Sequence, residues 1–235
     1  MPTYAFPYPR YVLTYLRYVR QVRKLEAVAA PATRRRSQPE RSEATQRALV
    51  ESARDLFASE GYSDTQLDDV VRAAGVTKGA LYHHFKGKAD LFRAVFEHEQ
   101  GRLAELVSEA YHRQRDPWKG FFAGCRALLE AQLDPGAQRI TLLDAPSVLG
   151  WEQKREIESR YCLQLVKEGL RAAMADGQIA SRPIEPIAHM VVGAVCEGSM
   201  MVARADDQPA AAKRLLAELR ILLDAFHAPE KSRAS

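Results

Sequence analysis

From Ser42 onward the chain is dense in helix-forming residues, and its Val, Ile and aromatic side chains nowhere alternate with period two over a useful length. Prolines set the outer limits. Five of the twelve lie at or before Pro39 (Pro2, Pro7, Pro9, Pro31, Pro39), and none falls between Glu40 and Asp116. Proline removes a backbone donor and clashes with the preceding turn, so that long stretch is free to run as helix. Breaks at Gly61, Gly75, Gly87, Asp116-Pro117, Asp134-Pro135-Gly136, Gly150, Gly177, Pro183/Pro186 and Gln208-Pro209 delimit about nine helices. The expected fold is all-α.

Composition removes several classes. Of 235 residues, 46% are apolar and 27% charged, the mix of a globular chain rather than a disordered one. The longest apolar stretch, Met190 to Ala205, is cut by Glu197 and Arg204, short of the roughly 20 residues of a spanning helix. Arg10, Arg17 and Arg20 interrupt any secretory core at the N-terminus. Cys125, Cys162 and Cys196 are widely spaced with no CxxC, which argues for a reducing, cytoplasmic setting and against a structural zinc. No metal, cofactor or membrane partner is expected.

The net charge of +4 is unevenly placed. Residues 1–41 hold nine Lys/Arg against Glu26 and Glu40, leaving the remainder at −3. A basic arm before a slightly acidic body marks contact with nucleic acid or an anionic surface, or else a solvated extension. Within it, Val12, Leu16, Val19, Val22 and Leu25 predict one amphipathic helix over Tyr11–Ala29, and Ala30–Ser42 reads as linker. The expected divisions are 1–41 leader, 42–88 head, 89–228 helical body and 229–235 tail.

The head carries the chemistry. Glu43–Ser59 predicts an amphipathic helix with Leu49, Ala53, Leu56 and Phe57 inward, closed by Gly61. Thr65 offers a cap for a short second helix, with Asp68 in the place of a capping-box acid. That helix stops at Gly75, and Thr77 caps a third, Lys78–Phe85. Two short helices joined by a glycine turn, the second basic, describe a helix-turn-helix. Lys78, Lys86 and Lys88 with His83 and His84 fall in a stretch without acids from Ala73 to Ala89. The segment 42–92 as a whole is −2, so the positive potential is local to the third helix and its exit, as a phosphate-facing surface requires. Lys88 opens the next helix, whose free N–H groups favour a phosphate.

The run Ala73-Ala74-Gly75-Val76-Thr77-Lys78-Gly79-Ala80-Leu81-Tyr82-His83-His84-Phe85-Lys86-Gly87-Lys88-Ala89-Asp90-Leu91-Phe92, with Ala53–Phe57 and Gly61–Thr65 before it, resembles the signature of the TetR family of transcriptional regulators. The resemblance implies Thr77, Lys78, Gly79 and Ala80 against bases or nearby backbone, and Thr65, Tyr82, His84 and Lys88 against phosphates. His83 can also reach outward and is carried with them. The leader departs from the family, whose members begin close to the first helix.

Beyond Leu91 the resemblance weakens. A helix from Lys88 to about His112 is expected to lead into the body, followed by Pro117–Gln132, Gln138–Leu143, Trp151–Ala175, Pro186–Ala205 and Pro209–Phe226. Val191, Ala194, Val195 and Gly198, with Leu215, Leu219 and Leu222, form apolar stripes that suit either a four-helix homodimer interface or ordinary core. The family dimerises there. Trp118, Phe122, Trp151 and Tyr161 are candidate walls of an effector pocket, with Asp144, Glu152 and Glu197 as acids near them. His189 and the cysteines read as packing residues.

The resulting expectation is a homodimeric regulator, by family habit a repressor, released from a palindromic DNA operator by a small-molecule effector. No G-x-S-x-G, P-loop, G-x-G-x-x-G, H-E-x-x-H or paired Cys/His spacing supports an enzyme. A membrane-associated or architectural DNA binder acting through the basic leader is the third class; it requires that loss of residues 1–39 abolish binding and that sequence preference be weak.

Overall fold

The computed structural model describes residues 37–227. The leader helix Tyr11–Ala29, most of the linker and the tail 229–235 lie outside the described residues. Two compact units divide the chain, 1–44 and 45–235. In the first, Ser37 and Glu40 cap α1 (Gln38–Glu60) reciprocally: Ser37 N donates to Glu40 Oε2 at 2.7 Å and Glu40 N to Ser37 Oγ at 3.5 Å. The helix therefore starts at Gln38 rather than Glu43. Pro39 fits its first turn, where the missing N–H would have no partner anyway.

The second unit continues with α2 (Leu67–Ala73), α3 (Lys78–His84), α4 (Lys88–His112), α5 (Pro117–Ala131), the single turn α6 (Pro135–Gln138) and a π segment (Arg139–Asp144). It closes with α7 (Ala145–Arg160), α8 (Cys162–Ala175), α9 (Ile184–Ala203) and α10 (Gln208–Asp224). Among the described residues this is all-α, with nine helices of seven residues or more, and one antiparallel bridge, Ile179 to His227. Aspartates one or two residues ahead of a proline open three of the helices: Asp116 accepts from Lys119 N at 2.7 Å, Asp134 from Ala137 N at 2.8 Å and Asp207 from Ala210 N at 3.0 Å. Gly150, at φ 73°, kinks α7, and Tyr161 separates α7 from α8, so the expected helix Trp151–Ala175 is two.

The head has no core of its own. Leu49, Ala53, Phe57, Val70, Leu81, Leu91, Phe92 and Phe96 share one buried cluster with Ile140, Ala145 and Ile157 from beyond α5. A second cluster, including Trp118, Phe121, Leu170, Val191, Val195, Leu219 and Leu223, fills the body. By length and composition α9 could cross a membrane, a property that Glu197 and Arg204 had argued against in the sequence. Here it is a core helix, with Ile187, Ala188, Val191, Val195, Gly198 and Val202 buried.

Candidate nucleic-acid interface

Gly61 and Gly75 take the left-handed conformations the sequence requires, at φ 88° and 65°. Thr77 caps α3 as expected, its Oγ1 accepting from Ala80 N at 3.2 Å. Leu81 and Phe85 are buried against the head, which turns Lys78, Gly79, Tyr82 and His83 outward; Tyr82 is 55% exposed. The space over Gly79 is open, with only Thr77 Oγ1 near a hypothetical Cβ, at 3.9 Å. Ala80 and His84 are half-buried at the edge of this face. Burial, and then the neighbouring His83, hold the His84 imidazole below its ordinary value, so at neutral pH it offers a neutral ring.

Two residues expected at phosphates do other work. Thr65 is fully buried, and its hydroxyl donates to Gly61 O at 2.8 Å. The cap position of α2 belongs to Gln66, whose side chain makes no cap bond. Thr65 therefore closes the α1–α2 turn from inside, and a hydroxyl satisfied there cannot reach DNA. Lys88 is half-buried: Nζ donates to Ser63 O at 3.0 Å and lies 4.6 Å from the centre of the Tyr62 ring. It ties α4 to the same turn while leaving part of its ammonium accessible.

Asp68 does not cap α2 but meets Lys78, with Oδ1 2.7 Å from Nζ. The hydrogen bond and charge of Asp68 raise the Lys78 ammonium above its ordinary value. Lys86, which the sequence left without a contact, is exposed where the chain leaves α3, and its N–H donates to Asp90 Oδ2 at 3.0 Å. Its place among the acid-free residues was the signal that could have found it.

Candidate effector residues do not converge. Trp118 is core, stacked on Phe121 at 5.3 Å with Nε1 donating to Asp224 Oδ1 at 3.2 Å. Phe122 packs on the same cluster, under the Arg220 guanidinium. Tyr161 packs on the other cluster, beside the head. Trp151 is 69% exposed beneath Arg155. Of the three acids, Asp144 faces the head, and Glu152 and Glu197 are exposed. A cleft of about 330 Å3 instead lies between α4 and α5, lined by Leu106, Ala110, Ala123 and Ala127 with Glu109 and Arg126. Burial pushes the Cys125 and Cys162 thiols up to about 12 and that of Cys196 to about 11, leaving all three neutral. His189, expected to pack, is exposed 3.6 Å from Glu185. Among the described residues no group of three or more His, Cys, Asp or Glu is placed to hold a metal.

The apolar stripes split. Val191, Val195, Gly198 and Leu219 are buried within the chain, with Leu215 half-buried against Gly198. Ala194 is half-buried, while Leu222 is exposed together with Met190, Met201 and Ile221. The stripe read from the sequence thus holds both a core face and a free face.

Residues 49–95 match the model described as "Bacterial regulatory proteins, tetR family", and 118–226 that of "Tetracyclin repressor-like, C-terminal domain". The crystal structure of a TetR-family transcriptional regulator from Pectobacterium atrosepticum superposes with a TM-score of 0.72 at 32% identity, covering 83% of this chain and 99% of that one. The Transposon Tn10 TetC protein of Escherichia coli is 25% identical over 160 residues, 66% of this chain and 79% of its own length. The HTH-type transcriptional regulator AcrR of Shigella flexneri is 38% identical over 74 residues, 32% of this chain and 34% of its own. With a capped helix-turn-helix on a helical body and both parts matched, this chain belongs to the TetR family of transcriptional regulators, which are DNA-binding proteins and not enzymes.

Proposed function

We propose that the protein is a homodimeric repressor that binds a palindromic operator through α3 and is released by a small-molecule effector in the cytoplasm. The observation that carries this reading is the outward face of α3: Thr77, Lys78, Gly79, Tyr82 and His83 are exposed around a small-residue centre, with no acid on the helix. A glycine and an alanine let backbone approach a groove, lysine and tyrosine reach phosphates, and Lys86 and Lys88 extend the positive surface. Ala80 and His84 stand at its margin. Thr65 is not part of it.

Dimerisation is assigned to the face of α9 and α10 that carries Met190, Met201, Ile221 and Leu222. Four large apolar side chains, each more than half exposed on two neighbouring helices, favour a partner helix pair. A two-fold dimer presents two copies of α3 to one side of DNA. The effector is assigned to the body, where the cleft between α4 and α5 borders the helix that leads from the head. It acts only by binding one arrangement of the heads better than the other.

Selection of bound sequences from a random DNA pool tests the reading, with the full chain and with a chain lacking residues 1–39. A palindromic consensus from both supports it. Binding that lacks a consensus and disappears with the leader would instead support an architectural binder.

A further inference from the structure

The end of α1 is gripped by two charged residues from one π segment. Arg139 Nη1 donates to Ser59 O at 2.8 Å, and Asp144 Oδ2 accepts from Tyr62 N at 2.9 Å. The last carbonyls of a helix and the amide that follows its closing glycine lack partners within the helix. A guanidinium on the carbonyl end and a carboxylate on a free N–H both have the favoured sign. Gly61 lies between these two bonds. A Cβ on it would come within 3.5 Å of Arg139 Nη1 and 3.7 Å of Asp144 Oδ2, so the two side chains close around the turn. Next to them, Gly136 lets α6 approach so near that a Cβ there would sit 2.8 Å from Ala58 Cβ.

We propose that Arg139 and Asp144 are positioning residues that set which half-site spacing the protein accepts, by fixing how the reading head is turned on the body without touching DNA. This rests on the dimeric, operator-binding reading above. Along the chain a single rod, α4, joins α3 to the body, and the rest of the join is a shared apolar core. Ile140 and Ala145 press on the head core, but apolar contact has little directionality. Two charge-assisted hydrogen bonds to backbone atoms on either side of Gly61 do have direction, and with the looser Arg54–Asp134 pair at 3.5 Å they anchor the head away from α4. In a two-fold dimer, a turn of each head moves the two copies of α3 relative to each other, and half-site spacing is the quantity that reads this geometry. A π segment suits the task, because its wider turn places side chains off the α-helical register.

The experiment takes the half-sites selected by the wild type and varies the spacer by about two base pairs either way. Binding is titrated for the wild-type full chain, Asp144→Ala, Asp144→Asn and Arg139→Met, each checked by thermal melt. We expect Asp144→Ala and Arg139→Met to keep the half-site consensus while their preference for the best spacer falls roughly tenfold, the scale of one charge-assisted hydrogen bond. Asp144→Asn keeps an acceptor oxygen for Tyr62 N and is expected to stay near wild type. An unchanged spacer preference in a folded Asp144→Ala or Arg139→Met protein overturns the proposal, as does a loss that is equal at every spacing. Should Asp144→Ala fail to fold, Arg139→Met decides alone, since its bond to Ser59 is exposed. A wild type that yields no palindromic consensus overturns the dimeric reading itself, a different result from a consensus whose spacing the variants leave intact.

Discussion

Lys78 and Asp68 meet across the turn between α2 and α3, with Nζ 2.7 Å from Oδ1 and both side chains more than half exposed. The first residue of the recognition helix is thus held by an acid on the helix that precedes it. An exposed pair of this kind contributes about 0–1 kcal/mol, so a phosphate can take Lys78 away from it. Asp68→Asn removes the competitor and a repulsive charge together. Titration of DNA binding at two salt concentrations is expected to show roughly two- to fivefold tighter binding to operator and unrelated DNA alike. A tightening confined to the operator would place Lys78 on a base instead.

Lys88 serves two purposes, and its removal should show both. Lys88→Met loses the bond to Ser63 O and the contact with the Tyr62 ring, a cost of about 1 kcal/mol in a denaturant melt. It also loses one phosphate partner, so the salt slope of DNA binding should fall by about one unit. An unchanged slope with a lower melt would confine Lys88 to holding the turn.

Gly198 and Ile221 separate the two faces of the terminal helices. A Cβ on Gly198 would meet Leu215 Cδ2 at 2.5 Å, so Gly198→Val should destabilise the protein by about 1–3 kcal/mol through overpacking. Ile221 is 66% exposed, and Ile221→Glu should leave the melt of the protomer nearly intact while sedimentation shows a shift from dimer to monomer. A dimer that survives both Ile221→Glu and Leu222→Glu would move the interface elsewhere.

Acid should unfold the protein through its capping carboxylates. The Lys86 N–H, against an opposing effect of burial and with help from Arg93, holds Asp90 below the usual aspartate range; the Lys119 N–H does the same for Asp116, again against burial and with help from Gln178. A carboxyl lowered by folding stabilises the native state above its unfolded value, and that contribution disappears as pH falls through the folded one. The melting temperature is therefore expected to fall slightly below about pH 6.5, where the His84 ring that the fold holds neutral begins to take a proton, and to drop steeply below about pH 4. Asp90→Asn should make that drop shallower. A melt that falls equally in Asp90→Asn would assign the acid sensitivity to other carboxylates.

What could be read from the chain alone was local. Thr77 before α3, Gly61 and Gly75 at helix ends and the spacing of Leu49, Ala53 and Phe57 are short-range consequences of backbone sterics and helical period, and each is found in the fold. The family signature in residues 73–92 is equally local, because the outward residues of α3 occupy successive turns of one short helix. Some errors were local as well. A cap at Thr65 and a start at Glu43 were one to five residues out, since several polar residues in a row can each end a helix.

Partner choice was not legible. The sequence made Val195 and Leu222 members of one pair of stripes, and only packing put the first in the core and the second in solvent. α9 is apolar over so much of its circumference that its period cannot say which neighbour covers which arc. Trp118 and Trp151 look alike in a list of aromatic residues, yet one is buried against Phe121 and the other lies open. Asp144 reads as a pocket acid, and Arg139 carries no signal, until the chain, some eighty residues after Ser59 and Tyr62, returns to the end of α1. Caps, glycine turns and helical period act within a few residues and are written in sequence order. Which faces meet depends on how several helices fill one volume, and that was settled only in three dimensions.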